Sequence, residues 1–202
     1  MFRIWPLPGG WPVRISAGTL KGRKVGAGKV LKRVDRGEIR PTSTKVREAL
    51  FDILRNDISG SSFLDLYAGT GAVGFEALSR GASRVCFVES VRTVAEQIQS
   101  HIGQMELAGK AAVYAEEAER FLRRAGNTDT GFDIIFADPP YASKEADVIL
   151  ELLDAGGVLK DGGCLVVEAP SRNNPREGLR SLRLIKKYRY GDTSLFLYGK
   201  ER

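Results

Sequence analysis

The tetrapeptide Asp138-Pro139-Pro140-Tyr141, directly after an apolar run over 132–137, is the sharpest chemical signal in the chain. The exocyclic amine of a nucleobase is a poor nucleophile because its lone pair is delocalised into the ring. Acceptors for its two N–H bonds, here the Asp138 carboxylate and a proline carbonyl, localise that lone pair. Two prolines stiffen such a loop, and the Tyr141 ring can stack on a base. The tetrapeptide therefore predicts a site that polarises a nucleobase amine.

A glycine-rich loop follows another apolar run, over 61–67. Gly69 and Gly71 allow a tight turn and a close backbone approach that a Cβ would block, and a helical pattern begins immediately afterwards. The spacing Gly69-x-Gly71-x-x-Gly74 also fits the dinucleotide fingerprint, with Glu89 about twenty residues on, where a ribose-binding acid is expected. The loop predicts a nucleotide-like ligand and leaves open which one.

The elements that must position these residues alternate from residue 61 onward, as a parallel sheet with crossover helices requires. The strands are predicted at 61–67, 84–89, 112–115, 132–137 and 163–168. The helices between them are predicted at 72–80, 91–108, 116–125 and 145–155. Two further β-like runs, 182–190 and 193–198, are joined by Gly191-Asp192, so the sheet is predicted to end in an antiparallel hairpin.

Acidic residues lie in, at or just after the ends of four of these strands. In a doubly wound sheet, ligands bind beyond the carboxyl ends of the strands, so acids placed there face the pocket. The carboxylates can accept hydrogen bonds from ribose hydroxyls at Glu89, from an adenine amine at Glu117, and from a cationic or amine group at Asp65 and Asp138.

Residues 13–58 are predicted to form a small appendage to a catalytic domain over 59–202, and residues 1–12 are an extension ahead of both. Residues 13–25 mix β-formers with glycines and predict a hairpin that carries Arg14, Lys21, Arg23 and Lys24. Thr42 or Ser43 can cap a following helix, whose apolar face is formed by Val46, Ala49, Leu50, Ile53 and Leu54.

Charge is distributed unevenly along the chain. Residues 1–60 hold 13 Lys and Arg against 5 acids, residues 61–171 hold 9 against 17, and residues 172–202 hold 9 against 3. Basic ends around an acidic middle indicate a polyanion that contacts the two ends, although a solvated surface explains the charges almost as well.

Several protein classes are disfavoured by composition. A chain of 202 residues with 43% hydrophobic content suits one domain with a small appendage. Its apolar runs are far shorter than the roughly 20 residues that span a bilayer, and residues 1–12 lack the apolar core of a signal peptide, so a cytoplasmic protein is expected. Cys86 and Cys164 lie in predicted strands without metal-ligand spacing, and we expect neither a metal site nor a disulfide.

The residues quoted so far resemble a known group of enzymes. Asp65-Leu-Tyr-Ala-Gly-Thr-Gly71 with Asp138-Pro-Pro-Tyr141 resembles the S-adenosylmethionine-dependent methyltransferases that modify exocyclic amines. The blocks over 14–25, 40–54 and 74–81 are similar to the bacterial small-subunit ribosomal RNA guanine-N2-methyltransferases, the RsmD-like family. This resemblance covers Val13 to about Tyr198, and residues 1–12 have no family counterpart.

The resemblance implies a Rossmann-like class I methyltransferase with a mostly parallel seven-stranded sheet. It implies S-adenosylmethionine as methyl donor, S-adenosylhomocysteine as product, no metal and no obligate protein partner. The substrate would be the N2 amine of a guanine in ribosomal RNA, free or in a small-subunit assembly.

The same resemblance assigns roles by position. The methionine end of the donor would lie against Asp65, Ala68, Gly69 and Gly71, its ribose against Glu89 and its adenine against Glu117. Asp138, Pro139 and Pro140 would hold the guanine amine, and Tyr141 would stack on the base. The basic residues expected to contact RNA are Arg14, Lys21, Arg23, Lys24 and Arg40.

Three other functions fit part of the pattern. A DNA adenine-N6-methyltransferase shares the chemistry of Asp138 to Tyr141, but the roughly 50 residues outside the catalytic domain leave little room for a target-recognition domain. An NAD-dependent dehydrogenase would use the glycine loop and leave Asp138 without a task. A non-catalytic RNA-binding module would explain the basic ends and ignore the acidic pocket.

Overall fold

The computed structural model describes residues 13–26, 44–126, 131–140, 145–174 and 176–201. Its strands are β1 (Val13–Arg14), β2 (Lys24–Val25), β3 (Ser62–Leu66), β4 (Arg84–Val88), β5 (Ala111–Tyr114), β6 (Phe132–Ala137), β7 (Leu159–Pro170), β8 (Leu182–Tyr190) and β9 (Thr193–Lys200). Its helices are α1 (Thr44–Ile53), α2 (Ala72–Ser79), α3 (Arg92–Gln104), α4 (Ala118–Ala125) and α5 (Glu145–Ala155).

Seven of the strands form one sheet in the order β5-β4-β3-β6-β7-β9-β8. The first five strands in this order are parallel, and β9 pairs antiparallel with both β7 and β8. The strand order reverses between β3 and β6, which is where doubly wound sheets open a ligand crevice. The predicted fold class, with its antiparallel end, is confirmed.

Apolar side chains cover both sides of the sheet because successive residues of a buried strand point to opposite faces. One face carries α1, α2, α3 and the β1–β2 hairpin, and its core includes Phe63, Phe75 and Phe87. We call it the hairpin face. The opposite face carries α4 and α5, whose apolar residues pack on Leu64 and Ile135.

Most predicted boundaries agree with the structure, and the exceptions have local causes. Helix α3 ends at Gln104 instead of 108 because Glu106 has a left-handed backbone, with φ 58°. Helix α4 begins at Ala118 because Glu117 is extended. Strand β7 begins at Leu159, which pairs with Phe132 ahead of a register shift. The proposed helix caps Thr42 and Ser43 lie outside the described residues.

The β1–β2 hairpin is confirmed, and it contacts both ends of α2 very closely. A Cβ on Gly18 would lie 1.7 Å from the carbonyl oxygen of Ser79, at the last turn of the helix. A Cβ on Gly26 would lie 2.7 Å from the Cβ of Thr70, in the glycine loop before the helix. Both glycines also have φ +77°, a conformation that side chains disfavour. Only glycine permits this docking.

The buried carboxylate of Glu76 on α2 joins the appendage to the sheet. Its oxygens accept hydrogen bonds from the Ser16 amide (2.8 Å), the Ser16 hydroxyl (2.7 Å) and the Ala17 amide (3.0 Å). Arg80 donates to it as well, at 2.9 Å, and the buried Arg47 guanidinium lies 3.6 Å away. Burial alone would raise the pKa of Glu76, but the hydrogen bonds from Ser16 and Arg80 hold it below its usual range.

Arg47 extends this network to α1. Its Nη2 donates to the carbonyl oxygen of Arg14 at 2.9 Å, so one buried guanidinium links α1 to the hairpin. Burial lowers the pKa of Arg47, and the neighbouring Glu76 opposes that shift. The hairpin, α1 and α2 therefore share one buried ion pair.

No helix in the described part of the chain combines the length and apolar character that crossing a bilayer requires.

Replacing Glu76 with Ala should lower the free energy of unfolding by about 3–5 kcal/mol, because it leaves Arg47 buried without its counter-charge. Urea denaturation of the full chain measures this. The control is Glu96→Ala, which removes the exposed Arg92–Glu96 ion pair; this pair has the same i,i+4 spacing as Glu76 and Arg80. The control should lower the free energy of unfolding by less than about 0.5 kcal/mol. Equal destabilisation of the two variants would contradict a structural role for the buried network.

Candidate active site

The glycine loop after β3 is built from alternating left-handed residues. Tyr67, Gly69 and Gly71 have φ values of 64°, 52° and 75°, and Gly71 is also the N-cap of α2. The Gly71 amide donates to the Ala68 carbonyl at 2.8 Å, which closes the turn. Because a tyrosine rarely adopts positive φ, Tyr67 marks backbone strain at the carboxyl end of the sheet, where functional sites concentrate.

The need for glycine has a different physical cause at each of these positions in the loop. A Cβ on Gly74 would lie 2.2 Å from the Phe87 ring, and one on Gly71 would lie 2.9 Å from the Phe75 ring. The close packing of α2 on the sheet leaves no room for a side chain at Gly71 or Gly74. Among the described residues, the nearest atom to a Cβ on Gly69 is the Tyr67 carbonyl oxygen, at 4.0 Å. None of those residues therefore fills the space over Gly69, and a ligand can approach the backbone there.

Two predicted site acids bind backbone amides of this loop and helix. Asp65 Oδ2 accepts from the Gly74 amide at 2.9 Å, and Glu89 accepts from the Gly69 amide and the Val91 amide, both at 2.8 Å. Burial, with a smaller contribution from the charge of Glu89, raises the pKa of Asp65 to about 7 despite that bond. Burial likewise raises the pKa of Glu89. Both acids fix the shape of the loop, and Glu89 ties it to β4.

Asp138 follows the last residue of β6, and Glu168 lies beside it near the end of β7. Ala137 pairs with Val167, so the next residue of each strand is an acid. Glu168 is only 4% exposed, and Asp138 is partly buried. Loss of hydration raises the pKa of Asp138 well above its usual range, and the negative charges of Glu168 and Asp65 add to this shift. The ionised form of Asp138 would therefore be stabilised by a ligand that offers hydrogen-bond donors or positive charge.

The predicted site residues meet along one edge of the sheet. Glu89 and Asp138 directly follow β4 and β6, Glu117 lies shortly after β5, and Asp65 is the residue before the last of β3. These four strands are neighbours in the sheet, in the order β5, β4, β3, β6. Glu117 is exposed at the start of α4, Pro139 is buried and Pro140 is exposed. The structure thus places the four acids near the carboxyl ends of neighbouring strands, and their sharing of one ligand crevice stays a prediction.

The predicted basic residues lie elsewhere. Arg14, Lys21, Arg23 and Lys24 are exposed on the hairpin, beside α2 instead of at the strand ends. Tyr141 and Arg40 are outside the described residues.

Sequence reasoning missed Tyr67 and Glu168. The rule that identified the other acids also applied to Glu168, because the predicted strand 163–168 ends in it. Tyr67 gave no such signal, since a β-forming aromatic before a glycine loop is read as part of the strand.

The sheet order, the antiparallel last hairpin and the open glycine loop after the first strand of the sheet define a Rossmann-like methyltransferase fold. Residues 13–199 match the family described as Conserved hypothetical protein 95, and the chain belongs to that family. The resemblance to the small-subunit ribosomal RNA methyltransferase family is thereby confirmed.

Similar proteins cover nearly the same span. Ribosomal RNA small subunit methyltransferase D of Haemophilus influenzae is 34% identical over 187 residues, 92% of this chain and 93% of that protein. The protein of that name from Escherichia coli K12 is 34% identical over 165 residues, 82% of this chain and 78% of its own. The solved structure of the Escherichia coli protein yhhF has a TM-score of 0.81 at 32% identity, covering 95% and 99% of the two chains.

Replacing Asp138 with Asn should stabilise the protein at neutral and alkaline pH. Because the folded-state pKa is raised, the parent protein loses stability as pH rises above the unfolded-state value of about 3.9, and the variant does not. Thermal unfolding at pH 5 and pH 8 measures the difference. Asp192→Asn, at an exposed turn between β8 and β9, is the control. The same pH dependence in the parent and in Asp138→Asn would contradict the raised pKa.

Proposed function

We propose that the chain transfers a methyl group from S-adenosylmethionine to the exocyclic N2 amine of a guanine in small-subunit ribosomal RNA. The observation that carries this proposal is Asp138, a poorly hydrated acid that precedes two prolines at the end of β6, beside an open glycine loop. The names of the similar Haemophilus and Escherichia proteins support ribosomal RNA of the small subunit as the substrate.

The residues of the crevice suit the methyl donor. The open surface over Gly69 leaves room for the methionine end of the donor, which the backbone of Ala68 and Gly71 and the carboxylate of Asp65 would also contact. Glu89 has capacity beyond its two backbone bonds, because a carboxylate offers about four acceptor sites, and these suit ribose hydroxyls. Glu117, exposed at the neighbouring strand end, suits the adenine amine. When bound, S-adenosylmethionine supplies a methyl group on a sulfonium that is a good leaving group.

Asp138 would act on the guanine. Its carboxylate and the Pro139 carbonyl accept the two N–H bonds of the N2 amine, which localises the nitrogen lone pair and directs it at the methyl carbon. On accepting the methyl group, as the N–C bond formed and the C–S bond of the donor broke, the nitrogen would become cationic and would have to lose one proton. The raised pKa of Asp138 suits it to take that proton near neutral pH. Positioning of the two reactants would supply most of the remaining acceleration.

The reaction and the substrate are tested together in a strain that lacks this gene. Mass spectrometry of nucleosides from its small-subunit ribosomal RNA should show the loss of one N2-methylguanosine relative to the parent. Restoring the gene should restore the nucleoside, and restoring Asp138→Ala should not, since general acid–base groups contribute about 10²–10⁴-fold to rate.

The matched control for this experiment is Asp161→Ala, which removes an exposed acid from the first part of β7, far from the carboxyl ends of the strands. It should restore the nucleoside fully. Unchanged ribosomal RNA in the deletion strain, with loss of N6-methyladenine from its DNA, would favour the DNA adenine methyltransferase instead.

The basic hairpin gives a separate prediction. Replacing Arg14, Lys21, Arg23 and Lys24 with Ala should weaken RNA binding and flatten its dependence on salt, by a slope of about 0.7 for each single-strand phosphate that the hairpin no longer neutralises. Filter binding across a salt series measures both quantities. An unchanged slope would mean that the hairpin has only a structural role.

A further inference from the structure

Strand β8 contains a bulge that changes which side chains face the hairpin side of the sheet. Leu182 and Leu184, before the bulge, pack in the core of the α4–α5 face. The register with β9 shifts between Leu184 and Lys186, so Ile185 is the extra residue. Without the bulge, strict alternation would place Lys186 on the same face as Leu184. The bulge instead brings Lys186 opposite Leu197, which packs with the core of the hairpin face.

The bulge residue Ile185 and three residues after it form a basic and aromatic strip, which we define as Ile185, Lys186, Tyr188 and Tyr190. Tyr188 and Tyr190 are half-buried and pack against the core of the hairpin face. Lys186 is exposed, and its Nζ lies 4.8 Å from the centre of the Tyr188 ring. Ile185 is 61% exposed on β8, the edge strand of the sheet.

Electrostatics and position both favour a nucleic acid as the ligand of this strip. Within the described ranges, no acidic side chain forms an ion pair with Lys186. The strip belongs to the basic segment 172–202, with 9 Lys and Arg against 3 acids. Lysine beside aromatic rings on an exposed sheet surface is the combination that binds single-stranded nucleic acid through phosphates and bases.

The strip lies level with the candidate active site. Across the sheet, Tyr188 pairs with Leu195, and Leu195 pairs with Glu168, the neighbour of Asp138. Three strand spacings separate β8 from β6, a distance of roughly 14 Å. At about 3.4 Å of rise per stacked nucleotide, this corresponds to about four nucleotides. One short RNA segment can therefore reach both places.

We propose that the strip Ile185, Lys186, Tyr188 and Tyr190 is a second RNA-binding surface, which holds the RNA a few nucleotides from the methylated guanine. This inference rests on the proposed function for the identity of the RNA. Lys186 contacts a phosphate, and the apolar and aromatic residues contact the adjoining base or sugar. The bulge at Ile185 turns these side chains to the substrate side, a use of bulges that is common near active sites.

The test compares two charge reversals on the same strand. Lys186→Glu changes the strip, and Arg189→Glu makes the same change of charge on the opposite face, because Arg189 pairs with Ser194 one position out of phase with Tyr188. The probe is the small ribosomal subunit purified from the deletion strain. Its dissociation constant is measured across a salt series for the parent and both variants, together with the affinity for S-adenosylhomocysteine.

We expect Lys186→Glu to weaken subunit binding about tenfold or more and to lower the salt slope, with Arg189→Glu changing affinity less than about threefold. Equal weakening of subunit binding by both variants would mean that only net charge matters for binding. Unchanged binding in both would mean that neither charge matters. Either result overturns the proposal. If Lys186→Glu reduces the affinity for S-adenosylhomocysteine, subunit binding is compared between Lys186→Ala and Arg189→Ala instead.

The same experiment separates the two proposals. Methylation of the subunit by the parent protein is followed in parallel as the appearance of N2-methylguanosine. Absence of that product overturns the proposed function, whereas the difference in binding between Lys186→Glu and Arg189→Glu still decides the role of the strip.

Discussion

The desolvation of carboxylates at the carboxyl ends of the parallel strands is the constraint around which the structure is arranged. Asp65 and Glu168 are buried between neighbouring strands, and their charges make ionisation of the partly buried Asp138 less favourable. A protein gains no stability from such a group. The arrangement becomes useful when a ligand brings N–H donors or positive charge, because the sheet has already removed much of the water that would compete for the carboxylate.

The two faces of the sheet have different roles in the structure. The α4–α5 face is an apolar layer that supports β3, β6 and β7. The hairpin face carries the docked hairpin, the glycine loop and the residues that follow the β8 bulge. Among the residues that the structure describes, the hairpin and the strip on β8 that we associate with RNA therefore both belong to the hairpin face. The close approach of Gly26 to Thr70 shows how tightly that side is joined, since the hairpin ends directly on the loop.

Pattern alone predicted the sheet, its antiparallel end, the hairpin and most of the strand-end acids. Alternating apolar runs, glycines and strand-end acids are local features, and they report the local backbone reliably. Glu76 was not predicted as a buried anchor, because a glutamate within a helical stretch is read as solvent-exposed and its partner Ser16 is 60 residues away. The β8 bulge was equally invisible, since Leu182 to Tyr190 is simply a β-forming run until its partner β9 is known. Long-range pairing decides such features, and it leaves no local trace.

The anchoring of the hairpin on Glu76 and Ser79 also sets an order of events during protein synthesis. Residues 13–25 leave the ribosome early, yet the bonds that dock them on α2 require residues about 60 positions later, with the backbone of that helix already formed. Chains are extended at about 5–20 residues per second, so the hairpin segment waits for seconds without its docking site. A segment made early therefore acquires its docked structure only after α2 has been made, and until then the nascent chain carries its basic residues undocked while ribosomal RNA is the nearest polyanion.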